Sequence, residues 1–319
     1  MAPLNSLGGI AALGEEVKAS GYGALKTNIF HFDGEMQSKG PKMYMPGFGG
    51  GINSPELNVN QQLVSTLVAQ MRAFREACGD GIGLKLDINY NFKTDGFIAI
   101  AKALTPEALG STVGIDWLEL DTYVLSSLLS ALPSSLLSSL LSSLLSSLLS
   151  SLLTSARRRY SPAALRQIRD AAPMPIASLE SLMGRRAILP FLEVGSVDVC
   201  IIDTLWNGVA ESVKMAELCE TFEVNCAAHN YHGWLGTAIS AHFCAAIPNF
   251  KVLEVDVDDV PWKDTITTGN PVIENGILSL DMSKPGWGVE VDEEALKLHP
   301  PMANSAESGI WSAAPDGKK

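Results

Sequence analysis

Positive charge is scarce in this chain. Its 319 residues carry 23 lysines and arginines against 35 aspartates and glutamates, a formal net charge of −12. An acidic surface repels a phosphate backbone, so nucleic acid is not an expected partner. Cysteine is also sparse: Cys78, Cys200, Cys219, Cys226 and Cys244 form no Cys-x-x-Cys pair. An odd count in mostly apolar surroundings does not describe a disulfide framework. The start, Met1-Ala-Pro-Leu-Asn, has no basic segment followed by a long apolar run, so it does not read as a signal peptide. Together these absences point to a reducing cytoplasmic setting. What is plentiful is apolar material. With 46% hydrophobic and 18% charged residues, the chain can bury one large core or two ordinary ones.

Helical and extended patterns alternate along it. Residues 6–21 carry an apolar stripe that ends at Gly21 and Gly23, and Ala24–Phe30 reads as a strand. A Gly-, Pro- and Met-rich loop from about Asp33 to Pro55 is long enough for a lid or binding loop. Gln61–Cys78 is strongly amphipathic, Gly83–Asp87 and Asp116–Leu120 are strands ending in acids, and Thr94–Leu104 is helical. From Ala163 the alternation resumes, with strands at Pro175–Glu180, Val197–Asp203, Val224–His229 and Lys251–Asp256 separated by helices. The tail 271–319 is Gly- and Pro-rich, with a hairpin-like Val272–Leu280.

Val124–Tyr160 interrupts this rhythm with a near-perfect Ser-Ser-Leu-Leu repeat. A four-residue period advances about 400° on a helix of about 3.6 residues per turn, so the leucine stripe drifts and no fixed apolar face forms. Its leucines never run more than two together, a poor membrane span. It reads as a low-complexity insertion in a surface loop, with an oligomerising or membrane-surface helix as the alternative. No membrane partner is expected.

Polar residues stand at successive strand ends: Lys26, Asp87, Glu119, Glu180, Asp203, His229 and Glu254. The steps from Glu180 to Asp203, His229 and Glu254 are 23, 26 and 25 residues, about one strand–helix unit of a βα barrel. The step from Glu119 to Glu180 is 61, and removing the 37 residues of Val124–Tyr160 restores it to 24. The expected fold is therefore α/β, a (β/α) barrel over residues 1–270 with an insertion at 124–160. A barrel gathers strand ends on one face, where Asp87, Glu119 and Glu180 would converge. Either each acid is an independent loop residue or cap, or three carboxylates share a hard cation, Mg2+ being the first candidate. His229, alone, could be a satisfied structural histidine or a proton carrier.

Leu25-Lys26-Thr27-Asn28, Leu86-Asp87-Ile88-Asn89, Trp117-Leu118-Glu119, Ile176-Ala177-Ser178-Leu179-Glu180, Val197–Asp203 and Ala228-His229-Asn230 decide between these readings. In these segments the chain resembles the enolase superfamily, in its mandelate racemase and muconate lactonizing branch, and most of all its sugar-acid (galactonate-type) dehydratases. The resemblance implies a barrel of the enolase C-terminal type. It implies Asp87, Glu119 and Glu180 as Mg2+ ligands, Asp203 and His229 as an Asp–His base pair, Lys26 in the Lys-x-Lys position, and Glu254 beside the substrate. The implied reaction is abstraction of the proton α to a carboxylate followed by loss of the β-hydroxyl as water from a sugar acid. A homo-oligomer is expected. A racemase or epimerase of the same branch, or a truncated non-catalytic remnant, are the alternatives.

Four departures from the family pattern bear on this. Asn28 takes the second Lys-x-Lys position, and Asn89 stands where some sugar-acid dehydratases carry a histidine. Leu179 replaces the glycine that usually precedes the third ligand, a change expected to shift Glu180. The family's N-terminal capping domain and first barrel strand would precede residue 1, so the barrel is expected to be incomplete at strand 1. The 271–319 tail would pack on that cap. His31, His232 and His242 are expected in polar or packing roles, and Asp256–Asp259 in an exposed acidic turn.

Overall fold

The computed structural model describes residues 6–31, 42–49, 57–122, 161–257, 260 and 262–299. Outside these lie the 124–160 insertion, most of the Asp33–Pro55 loop, Asp258 and Asp259, and the end of the tail. Seven strands form one parallel sheet in sequence order: β1 (Ala24–Thr27), β2 (Gly83–Asp87), β3 (Trp117–Glu119), β4 (Ile176–Ser178), β5 (Val199–Asp203), β6 (Asn225–His229) and β7 (Phe250–Leu253). Helices α1 (Leu7–Ala19), α2 (Gln61–Cys78), α3 (Thr94–Ala103), α4 (Pro162–Ala171), α5 (Arg185–Glu193), α6 (Val209–Thr221) and α7 (Trp234–Ala246) precede or join them. This is the incomplete (β/α) barrel expected of the β/α rhythm. Among the described residues β1 and β7 are its two unpaired edges. The sheet curls far enough that Lys26 Nζ, on β1, lies 2.6 Å from Glu254 Oε1, just past β7.

Alternation along the strands sorts side chains into two layers. Leu84, Leu86, Leu118, Ile176, Cys200, Ile202, Cys226 and Ala228 face outward into the large core shared with the helices. Trp117, Ala177, Val199, Ile201 and Ala227 face inward and form a small second cluster with Val252. Two residues further along the same inward rows come Glu119 above Trp117, Asp203 above Ile201, His229 above Ala227 and Glu254 above Val252. Polar rim and apolar floor thus follow from one period-two pattern. On β2 the row is Lys85 then Asp87; buried Lys85 pairs with Asp116 at 2.6 Å and sits 4.7 Å over the Trp117 ring.

Several strands are shorter than expected. Glu180 and Glu254 lie beyond the ends of β4 and β7 rather than on them, and Phe30–His31 forms a separate two-residue strand paired with Lys42–Met43. Val272–Glu274 and Ile277–Ser279 form the expected hairpin. Its Gly276, at φ +74°, rests on Gly23: an added Cβ would meet the Gly23 nitrogen at 3.0 Å. All five cysteines are buried and free. Among the described residues no helix is long and apolar enough to cross a membrane.

The α1–α2 contact turns on Gly14, where an added Cβ would lie 2.8 Å from Ala77 Cβ. At Gly8, in the exposed first turn of α1, an added Cβ would make an ordinary contact with Ser6 Oγ at 3.9 Å. Gly8→Ala is expected to stabilise the fold by up to about 1 kcal/mol through helix propensity. Gly14→Val is expected to destabilise it by about 1–3 kcal/mol, because overpacking outweighs any propensity gain. Urea denaturation of the two variants gives both signs.

Candidate active site

β2 and β3 pair so that Asp87 lies opposite Glu119, and the turn after β4 adds Glu180. One carboxylate oxygen from each lies within 4.8 Å of the other two. The expected convergence is present in spite of Leu179. That residue is buried and holds φ +88°, a region where a Cβ is crowded and which costs about 1–3 kcal/mol for a residue other than glycine. The turn keeps Glu180 in the cluster rather than moving it away. Asn89, Leu120, Asp121 and Ser178 complete the lining of a small pocket around the three acids.

Each acid is supported differently. The Asp87 carboxylate accepts hydrogen bonds from Asn89 N (2.8 Å) and Asn89 Nδ2 (3.0 Å). Asn28 Nδ2 donates to the Asp87 carbonyl (3.1 Å) and to Asn89 Oδ1 (3.3 Å). Two departures from the family pattern, Asn28 and Asn89, therefore form one network under the first acid. Glu119 accepts from Lys26 Nζ at 3.1 Å and from Trp117 Nε1 at 3.1 Å. Glu180 Oε2 is buried and accepts no hydrogen bond. Such an orphaned acceptor is costly unless a cation or a proton satisfies it. Burial and the charge of Glu119 push the Asp87 carboxyl up to about 7. Burial, then Asp87 and Glu119, push Glu180 well above the carboxylate range. The donor set is all oxygen, anionic and short of positive charge, which fits a hard divalent cation.

Lys26 lies between Glu119 and Glu254. Burial would lower its pKa, but the surrounding carboxylates, Glu119 and Glu254 foremost, hold it well above the usual lysine value. It is an ammonium. Glu254 in turn accepts from Asn230 N at 2.9 Å, and Lys26 and His229 hold its carboxyl below the ordinary value in spite of burial.

The β5–β6 register places Asp203 beside His229. Asp203 Oδ2 lies 2.8 Å from His229 Nδ1, and Asp203 Oδ1 accepts from Trp206 N at 2.7 Å. His229 Nε2 faces Glu180 Oε2 at 3.5 Å. Burial disfavours the imidazolium, but Asp203 and then Glu254 raise the His229 pKa above 6.5 all the same. Asp203 is held far down by His229, His232 and the Trp206 amide, which outweigh its burial. The site can thus hold a cation at one end and take up a proton at the other.

All seven residues singled out in the sequence meet at this rim. His232 was expected in a polar or packing role and takes a polar one: its Nε2 lies 3.1 Å from the same Asp203 Oδ2 that holds His229. Asp121 was missed, and its signal was weak: an acid two residues after Glu119. The ring of His242 packs against Trp287 (5.4 Å between centroids), the packing role expected of it.

Residues 157–295 match the family model described as enolase C-terminal domain-like. The chain is 31% identical over 126 residues to the D-xylonate dehydratase of Haloferax volcanii, an alignment covering 39% of this chain and 30% of that protein. It is likewise 31% identical over 125 residues to the D-gluconate/D-galactonate dehydratase of Picrophilus torridus, covering 39% and 32%. A crystal structure from Burkholderia xenovorans, provisionally named an L-alanine-DL-glutamate epimerase, is 33% identical with a TM-score of 0.74, over 93% of this chain and 63% of that one. The same Burkholderia protein has been solved bound to magnesium and fumarate. The matched stretch is about a third of each dehydratase and under two thirds of the solved chain.

Between about pH 4 and pH 7 the cation-free fold keeps a proton on Asp87 that the unfolded chain, titrating near 3.8, has released. This group therefore takes stability away as pH rises through that window. Asp87→Asn has no such proton to lose, so its stability relative to the unsubstituted chain is expected to rise from pH 4 to pH 7. Denaturant midpoints measured in EDTA across that range test this; parallel curves would contradict it.

Proposed function

We propose that the chain is a member of the enolase superfamily and acts as a Mg2+-dependent sugar-acid dehydratase. In this reading it removes the proton α to a carboxylate and expels the β-hydroxyl as water. The observation that carries the proposal is the juxtaposition of the three acids, one with a buried oxygen lacking any donor, with an Asp-bonded histidine whose free nitrogen faces them. The identity to sugar-acid dehydratases supports the reaction class.

Asp87, Glu119 and Glu180 would hold the ion. When bound there it supplies Lewis-acid stabilisation of the charge that builds on the substrate carboxylate as the α-proton leaves. The remaining chemistry belongs to the side chains. His229 Nε2 takes the α-proton, while Asp203 fixes the Nδ1–H tautomer and stabilises the imidazolium that forms. Lys26, charged and held by Glu254, places an ammonium beside the developing oxyanion. The departing hydroxyl needs one proton to leave as water, and the protonated His229 and Lys26 are the two acids present to give it. The enol left behind takes a proton at carbon to become the 2-keto acid.

The second reading is an epimerase, favoured by the name of the Burkholderia structure. It needs a second proton carrier to return hydrogen to carbon. Lys26 is the candidate, but as an ammonium paired with two carboxylates it suits charge stabilisation better than proton abstraction. The third reading is a chain that keeps the ligands without turnover.

A panel of sugar acids incubated with Mg2+ and read by 2-keto acid formation separates the three. A dehydratase gives product with at least one acid, and an epimerase gives deuterium wash-in to recovered substrate without product. No product, no wash-in and no Mg2+-dependent thermal shift would sink both enzymatic readings. His229→Asn is expected to lower turnover by about 10²–10⁴-fold or more, with the Mg2+ thermal shift retained.

A further inference from the structure

We propose that Asp121 is a positioning residue that holds Glu180 in the carboxylate cluster against the backbone conformation imposed on Leu179. The part of this that concerns a cation rests on the reading of Glu180 as a ligand. Asp121 lies two residues past β3, is only 3% exposed, and grips the chain on both sides of Glu180. Its Oδ1 accepts from Ser178 Oγ (2.8 Å) and from Leu179 N (3.3 Å), and its Oδ2 accepts from Ser181 Oγ (2.9 Å). Its own amide donates to the Asn89 carbonyl at 3.0 Å, which ties the grip to the residue that supports Asp87.

Two observations show why a grip is needed. Leu179 sits at φ +88°, where a side chain crowds the backbone. A freed leucine would rotate toward negative φ and swing the following peptide, and Glu180 with it. Within the cluster the Glu180 side chain is held only loosely: its buried Oε2 faces His229 Nε2 at 3.5 Å and accepts no hydrogen bond. Its placement depends on the backbone, and that backbone is held by Asp121. A glycine at 179 would reach the same φ freely, so the leucine and the aspartate are expected to act as a pair.

Mn2+ affinity of the full chain, measured by calorimetry, is the first test. Asp121→Ala is expected to weaken binding roughly 10–100-fold, the usual range for a residue supporting a ligand. Asp121→Asn keeps two acceptor contacts on Oδ1 and can donate from Nδ2 to Ser181 Oγ, so it is expected to stay within about threefold of the unsubstituted chain. Adding Leu179→Gly to Asp121→Ala is expected to recover much of the loss. Binding by Asp121→Ala within threefold of the unsubstituted chain would overturn the proposal. So would an Asp121→Asn variant as weak as the alanine, which would make charge rather than grip the cause. The second test needs no metal: in a crystal structure of Asp121→Ala, residue 179 is expected to leave positive φ and Glu180 to leave the cluster. Retention of both in place overturns the grip. If the unsubstituted chain binds no Mn2+, the metal reading fails and the metal-free structure decides the proposal alone. If the alanine variant does not fold, as judged by circular dichroism, the Asp121→Asn comparison decides it.

Discussion

Three carboxylates brought within 4.8 Å of one another at the rim of a closely packed sheet cannot all stay ionised without positive charge nearby. Much of the local structure answers to that constraint. Lys26 supplies one cation, shared between Glu119 and Glu254. Asn89 and Trp117 donate to Asp87 and Glu119. What is left over is concentrated on Asp87 and Glu180, the two acids whose pKa values rise. The crowding sets the demand for a cation, and the orphaned Glu180 oxygen marks where that demand is unmet.

The same residues help to define the curl of the sheet. Among the described residues no hydrogen bonds join β1 to β7, and the contact across the rim is the Lys26–Glu254 ion pair. Lys26 thereby bridges the two halves of the site. It links the half that gathers the acids to the half that carries Asp203 and His229, and it keeps its proton because both halves are acidic. Beneath this polar ring, Trp117, Ala177, Val199, Ile201 and Ala227 fill the interior with apolar side chains. The floor keeps the rim dry from below, where an ion pair is screened least.

Much of this was readable from the sequence because it depends on periodicity. A strand–helix repeat of 23–26 residues places Asp203 and His229 one unit apart and in phase, and period-two alternation turns them to the same face. Asp87 and Glu119, 32 residues apart and so outside that repeat, were legible as acids closing expected strands, and the β2–β3 register sets them side by side. The unread parts have no period. Glu180 projects from a turn whose shape depends on Leu179 at positive φ and on Asp121, 58 residues away in sequence from the amide it holds. In the sequence Asp121 stood out only as an acid two residues after Glu119. Asn28 and Asn89 looked like losses of function-bearing residues and prove to be partners to each other and to Asp87. His232 had no spacing signal, since its place on Asp203 is set by the turn after β6.

The central claim is that Asp87, Glu119 and Glu180 together bind one divalent cation. It is tested most directly by anomalous diffraction from crystals of the full chain grown with Mn2+. One anomalous peak within coordination distance of all three carboxylates is the expected result. Absence of a peak there at saturating Mn2+, with the three side chains ordered and still close together, would contradict it.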